Sequence, residues 1–159
     1  FLPVIPAAEF TLEVFGYSAK DGSMQDLVSI PLNLLNENTS SFNIFFYSSI
    51  DSKTCESLFP VKRLIAHTAA TPRAALYELL SGPQKEELTQ GYESALSDFI
   101  QIQSLAIIGG EARVDFSTDF NQVTDECQKQ TALRQVEDTL KQFESVDSVV
   151  VSVDGEKLK

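Results

Sequence analysis

Apolar residues alternate with polar ones in several short stretches of this chain and recur at helical spacing in two others. Residues 10–17 (FTLEVFGY) set Phe10, Leu12 and Val14 on one face of a strand. Asp21-Gly22 is a hairpin signal, and residues 27–32 (LVSIPL) supply a return strand that Pro31 ends or confines to an edge. The polar run 33–41 reads as a linker. Residues 1–41 are therefore expected to form a hairpin-like extension, either on its own or as extra strands for the main sheet.

The pattern strengthens from residue 42. Residues 42–47 (FNIFFY) and 58–65 (LFPVKRLI) predict two strands. Thr71-Pro72 marks a helix start, with Thr71 as the cap and Pro72 in the first turn. Ala75, Leu76, Leu79 and Leu80 give that helix one apolar face, and Gly82-Pro83 stops it. Residues 84–89 predict a short second helix or an acidic turn. Residues 100–108 predict a strand whose apolar phase slips between Ile102 and Leu105, the mark of a bulge or a late start. Gly109-Gly110 is a two-residue hairpin turn, and Ala112, Val114 and Phe116 alternate on the return strand. Thr124 or Asp125 caps a long helix reaching Phe143, whose stripe is Leu133, Val136, Leu140 and Phe143. Val149, Val151 and Val153 line the last strand, which Asp154-Gly155 ends.

The order β-β-α-(α)-β-β-α-β predicts an α+β fold. It is a two-layer sandwich, with a small mixed sheet carrying two main helices on one face and the N-terminal hairpin as an addition. The domain division is 1–41 extension, 42–156 main domain and 157–159 tail.

Composition narrows the partners. With 159 residues the chain holds one domain plus an extension, and eleven Phe with no Trp leave the core to Phe, Leu, Ile and Val. The net charge of −11 opposes phosphate backbones and anionic membranes, so nucleic acid is excluded as a partner. No stretch has the ~20 apolar residues of a membrane span. The apolar start Phe1-Leu2-Pro3-Val4-Ile5-Pro6-Ala7-Ala8 reads as the tail of an export signal or the stub after a removed anchor, or as a linker. Two cysteines, Cys55 and Cys127, and one histidine, His67, are too few for a zinc site. The thiols are either buried and free or joined in a bridge that places the protein in an oxidising compartment.

Several motifs then align in one order. Val61-Lys62-Arg63 is followed by Thr71-Pro72-Arg73-Ala74-Ala75-Leu76 and by Leu79-Leu80-Ser81-Gly82-Pro83. Val114-Asp115-Phe116-Ser117 comes later, and the chain closes on Leu140-Lys141-Gln142-Phe143, Val146, Val149, Val153, Asp154 and Gly155. This succession resembles the GerMN domain of sporulation and spore germination, within the subgroup of envelope lipoprotein-like members that carry a cysteine pair. The resemblance implies a fold similar to ring-building motifs and a life on the outer side of a bacterial membrane. It brings no catalytic residue and no cofactor. It makes Arg63, Thr71, Pro72, Arg73, Gly82, Pro83 and Gly155 structural motif residues, and it implies a disulfide between Cys55 and Cys127.

Candidate chemistry is sparse. His67 is the one base for a Ser-His-Asp hydrolase, and no G-x-S-x-G elbow presents a serine, so a surface or capping role is expected. A Cys55–His67 pair needs a thiolate that a disulfide would remove. Asp115, Asp119, Asn121, Asp125 and Glu126 offer oxygen ligands for calcium without the EF-hand spacing, and Asp125 and Glu126 also suit a helix N-terminus, so no metal is expected. Arg63, Arg73 and Arg134 are expected to pair with acidic side chains inside the fold, the alternative being to bind a wall carboxylate or phosphate. The reading is thus not an enzyme but an interaction or assembly module of the envelope. Its partner is another envelope protein or further copies of itself, and membrane contact runs only through a removed anchor. The alternative is a binding module for a wall-derived small molecule or glycan. An exposed apolar patch favours the first and a deep, polar-mouthed pocket the second.

Overall fold

The computed structural model describes residues 9–17, 24–33, 39–48, 50 and 57–158. The apolar start, the Asp21-Gly22 turn, most of the polar linker and Cys55 lie outside the described residues. The chain divides into two compact units: Phe1–Ser40 with Ile65–His67, and Ser41–Leu64 with Thr68–Lys159.

In the first unit β1 (Glu9–Tyr17) pairs antiparallel with β2 (Met24–Asn33), with Glu9 opposite Asn33 and Tyr17 opposite Met24. Pro31 stands opposite Thr11 in this two-stranded sheet, where each strand is an edge and a missing N–H is tolerated.

The second unit holds most of β3 (Thr39–Ser48) and β4 (Leu58–Ala66), then α1 (Thr71–Leu80), α2 (Lys85–Thr89) and β5 (Tyr92–Glu93). There follow β6 (Ile102–Ile108), β7 (Glu111–Phe116), a 3-10 turn over Thr118–Gln122, α3 (Glu126–Lys141), β8 (Ser148–Val153) and β9 (Glu156–Lys157). The fold is α+β and its larger sheet is mixed, as the pattern predicts. β6 and β7 are antiparallel, β7 and β8 parallel, and β8 and β9 antiparallel. Parallel neighbours need a long crossover, and α3 supplies it. The predicted slip in β6 is a register shift between Ile102 and Ser104. Gly109 and Gly110 turn the hairpin with φ of 56° and 83°, the left-handed region that a tight two-residue turn requires.

The strands of this unit form two sheets, β4-β3-β5 and β6-β7-β8-β9, where the pattern predicts one. The reason lies on the open edge of β3. Alternate residues of a strand aim their N–H and C=O at the same edge. On that edge Tyr47 meets Glu93 of β5, and α3 takes the positions before it. Gln142 accepts from Asn43 N at 2.7 Å and donates to Asn43 O at 2.6 Å. Gln135 donates to Phe45 O at 2.8 Å and accepts from Ala95 N at 2.9 Å. Two side-chain amides, Gln135 of α3 and Gln142 at its C-terminal cap, thus stand where a neighbouring strand would.

α1 packs on α3 and α3 on β8. The core joins Phe42, Ile44 and Phe46 of β3 to Ala112, Val114 and Phe116 of β7 and to the apolar faces of both helices. Phe116 stacks on Phe120 with centroids 5.5 Å apart. The predicted face of α1 is the buried one: Ala75, Leu76, Leu79 and Leu80. Gly82, at φ 75°, ends that helix.

Two local expectations change. Ala70, not Thr71, is the N-cap of α1, and Thr71 is already helical. Two hydroxyls close a turn just ahead of it: Thr71 donates to Thr68 O at 3.0 Å, and Thr68 accepts from Ala70 N at 3.1 Å. On α3, Asp125 is the cap, accepting from Gln128 N at 2.9 Å. The buried face is Thr131, Ala132, Gln135, Val136, Thr139 and Leu140, so Leu133 lies at its margin. Phe143 falls beyond the helix and meets Phe42 edge-on at 6.4 Å.

Candidate functional site

Arg63 and Asp115, from two of the motifs, make the contacts that fasten neighbouring elements. Arg63 is 5% exposed on β4, and its guanidinium makes a two-pronged ion pair with Glu87, one prong at 2.6 Å. Its Nε lies 3.6 Å from Glu78, and its planar group sits 5.9 Å from the centre of the Phe46 ring. Burial raises the Glu87 carboxyl, but the bonds from Arg63, the Gln84 N–H and the arginine charge outweigh it and hold the group below its usual value. Arg63 is thus paired inside the fold as expected. Arg73 is not: it lies over the Tyr77 ring at 5.6 Å, with Nε 3.3 Å from the Tyr77 hydroxyl. Arg134 is exposed on α3. Asp115 ties the two late motifs together, accepting from Ser152 at 2.7 Å and from the Gly155 N–H at 3.0 Å.

The candidate chemical groups are dispersed. His67 is exposed in the first unit, its Nδ1 3.5 Å from the Ser40 hydroxyl. Asp119 accepts from Ser117 at 2.9 Å and from Gln122 at 3.2 Å, while Asp125 caps α3. Among the described residues no three acidic, cysteine or histidine side chains gather as a metal site. Cys127 lies at the exposed start of α3, and no cysteine among the described residues is a free thiol.

A concave feature lies elsewhere, and of the motif residues only Leu80, Ser81, Gly82 and Pro83 reach it. An open groove of about 590 Å³ runs between the C-terminal end of α1, α2 and the 91–98 segment. Leu80, Pro83, Leu88, Tyr92 and Leu96 make its apolar lining, and Glu93 and Asp98 bring acid to it. The Tyr92 ring is braced edge-on by Phe59 at 6.4 Å. Tyr47 donates to Glu93 at 2.9 Å, and burial, that bond and the adjacent negative charge push the phenol up to about 12.

Exposed apolar side chains collect around the groove. Leu88 in its lining is 55% exposed, and Phe99, next to Asp98, is 71% exposed. Ile50 is 72% exposed and lies on Gly91, where any added Cβ would stand 2.6 Å from its Cδ1. In the sequence this cluster shows only as single apolar residues in otherwise polar segments, Leu88 among the charges of α2 and Phe99 beside Asp98. Such a surface can take up a partner's apolar side chain beside an acidic rim.

Comparison with known proteins gives one family. Residues 43–159 match the profile of Germane, sporulation and spore germination. The chain is similar to the first GerMN domain of the sporulation protein GerM from Bacillus subtilis. The TM-score is 0.62 at 24% identity, covering 76% of this chain and 86% of that one. It is similar also to the tandem GerMN domains of the same protein, with a TM-score of 0.63 at 24% identity over 76% of this chain. The chain spans 41% of the length of that tandem structure. At this identity the likeness shows the fold. No protein of curated function matches the chain significantly.

Proposed function

The chain belongs to the Germane family, sporulation and spore germination, over residues 43–159, and from that premise we propose that it is a non-catalytic assembly module of the bacterial cell envelope, working outside the cytoplasm. One observation carries the reading: Ile50, Leu88 and Phe99 stand exposed around an open groove of mixed apolar and acidic lining. Covering a large apolar side chain is worth about 1.5–3 kcal/mol, so three together are a sizeable reason to bind another surface. A small ligand is usually enclosed on most of its surface, and an open groove suits a protein face better. The motif residues support the reading too, because Arg63, Asp115 and Gln142 hold the fold together.

The extracytoplasmic part of the proposal rests on the cysteines. Cys55 and Cys127 are taken as a disulfide pair, which persists in an oxidising compartment. Attachment to the membrane would then run through an anchor rather than through this domain.

A photo-crosslinking residue placed in the intact protein in cells tests the groove. Adducts with an envelope protein are expected from Leu88 and Phe99 and not from the exposed, distant-in-sequence Glu144. Saturable binding of a purified muropeptide, abolished by Leu88→Glu and accompanied by no protein adduct, would replace this reading with that of a wall-ligand module.

A further inference from the structure

Edge strands carry unpaired N–H and C=O groups, and proteins that stay apart protect them with charge, proline, brevity or cover. The described edges of the second unit are protected in that way, with one exception. β4 carries Pro60 and Lys62, and β5 is two residues long with Glu93. β9, the far edge of the four-stranded sheet, is only Glu156–Lys157. β6, the near edge, is Ile102–Ile108 (IQSLAII), with neither charge nor proline. Its one irregularity comes at the start, between Ile102 and Ser104, and leaves Ser104–Ile108 in regular register with β7. Among the described residues no strand pairs with its outer edge, and Ile108 is 61% exposed.

We propose that β6 is the strand through which two copies of this chain pair, antiparallel, about a twofold axis at Ala106. A second copy fits this edge for three reasons. An uncharged strand is complementary to itself, whereas two chains of net charge −11 repel wherever their carboxylates meet. Centring on Ala106 sets Ser104 opposite Ile108, Leu105 opposite Ile107, and Ala106 opposite its own copy. Every residue then keeps its face, with Leu105 and Ile107 on the side of Val114 and Ala112, their partners in β7. The nearest charges, Glu111, Arg113 and Asp115, lie one strand further in on β7. Between copies they stand three strand spacings apart, about 14 Å, beyond the ~8 Å Debye length of physiological salt. The result is one continuous sheet of eight strands with β6 at its centre.

This deepens the assembly reading by naming a partner, at a surface separate from the groove. The whole chain, measured by light scattering and sedimentation over a range of concentrations, is expected to show a reversible monomer–dimer equilibrium. Ala106→Lys, on the exposed face of β6, should weaken the dimer at least tenfold, with no change in melting temperature at concentrations where the wild type is monomeric, and Ile108→Lys should act alike. Leu88→Glu in the groove should leave the dimer intact. Ala106→Cys should form an intermolecular disulfide on mild oxidation, because directly opposed strand residues lie within disulfide reach. A wild-type chain that stays monomeric into the high micromolar range overturns the proposal. So does a dimer that survives both lysine variants, or one that Leu88→Glu dissolves while Ala106→Cys fails to cross-link.

Discussion

At Arg63 a guanidinium that is almost entirely buried is answered by Glu87, with Glu78 close by and the Phe46 ring at its face. A buried charge that loses its partner is costly, commonly 3–5 kcal/mol. Glu87→Gln retains one acceptor, and Glu78 remains in reach, so a loss of about 2–3 kcal/mol is expected at pH 7. The carboxyl of Glu87 is held below its ordinary value in the folded state. Its contribution is therefore complete above the unfolded pKa, near 4.3, and is lost as the pH falls through the lowered folded value. Urea unfolding at pH 7 and at progressively lower pH should show the gap between wild type and Glu87→Gln closing below about pH 4. A gap that stays constant would mean the pair does not carry the stabilisation. The neighbouring arginine makes the contrast, since Arg73 sits on Tyr77 within its own helix and answers no buried acid.

Among the elements, α3 does two jobs that its apolar stripe alone does not announce. Ala132, Val136 and Leu140 fill the core, while Gln135 and Gln142 bond the backbone of β3. Gln135 is fully buried and serves both the Phe45 carbonyl and the Ala95 N–H. Truncating it leaves two backbone groups without partners, at roughly 1–3 kcal/mol each. Gln135→Ala is expected to lower stability by about 3 kcal/mol and to speed exchange of the Ala95 amide in particular. Loss of the Asp125 cap by Asp125→Ala should cost only about 1 kcal/mol. If the two variants cost the same, the amide bridge is not what holds β3 against the helix.

For the whole molecule the proposed Cys55–Cys127 pair is the main covalent constraint. It closes a loop of roughly 70 residues, worth about 4 kcal/mol on the chain-entropy account. In a domain of this size that corresponds to a fall in melting temperature on the order of 10 °C when the bridge is reduced. Reductant should produce that fall in the wild type and none in Cys127→Ser. An unchanged melting curve would remove the bridge and, with it, the argument for an oxidising compartment. The assembly reading would still stand on the groove, and the pairing of copies on the β6 edge.

The sequence alone determined what neighbouring residues decide among themselves. The buried face of α1, its stop at Gly82, the slip in β6 and the Gly109-Gly110 turn are all local, and each is in place, as is the α3 cap once Asp125 is chosen over Thr124. The ordered motifs carried the α+β fold and the family, because they record those local needs in a fixed succession. Tertiary structure decided the rest. Whether an arginine meets a carboxylate depends on residues 24 positions away, as at Arg63 and Glu87, and no spacing rule separates that arginine from Arg73. Val136 and Leu140 of the α3 stripe are buried as the spacing predicts, while Gln135 joins that face only because it bonds backbone that no spacing reveals. The split of the main unit into two sheets follows from the same contacts. The groove is assembled from several segments of the chain, so its exposed apolar side chains show as a site only once the chain has brought them together. β6 became a candidate interface in the same way, when the fold left that strand, with neither charge nor proline, at an edge.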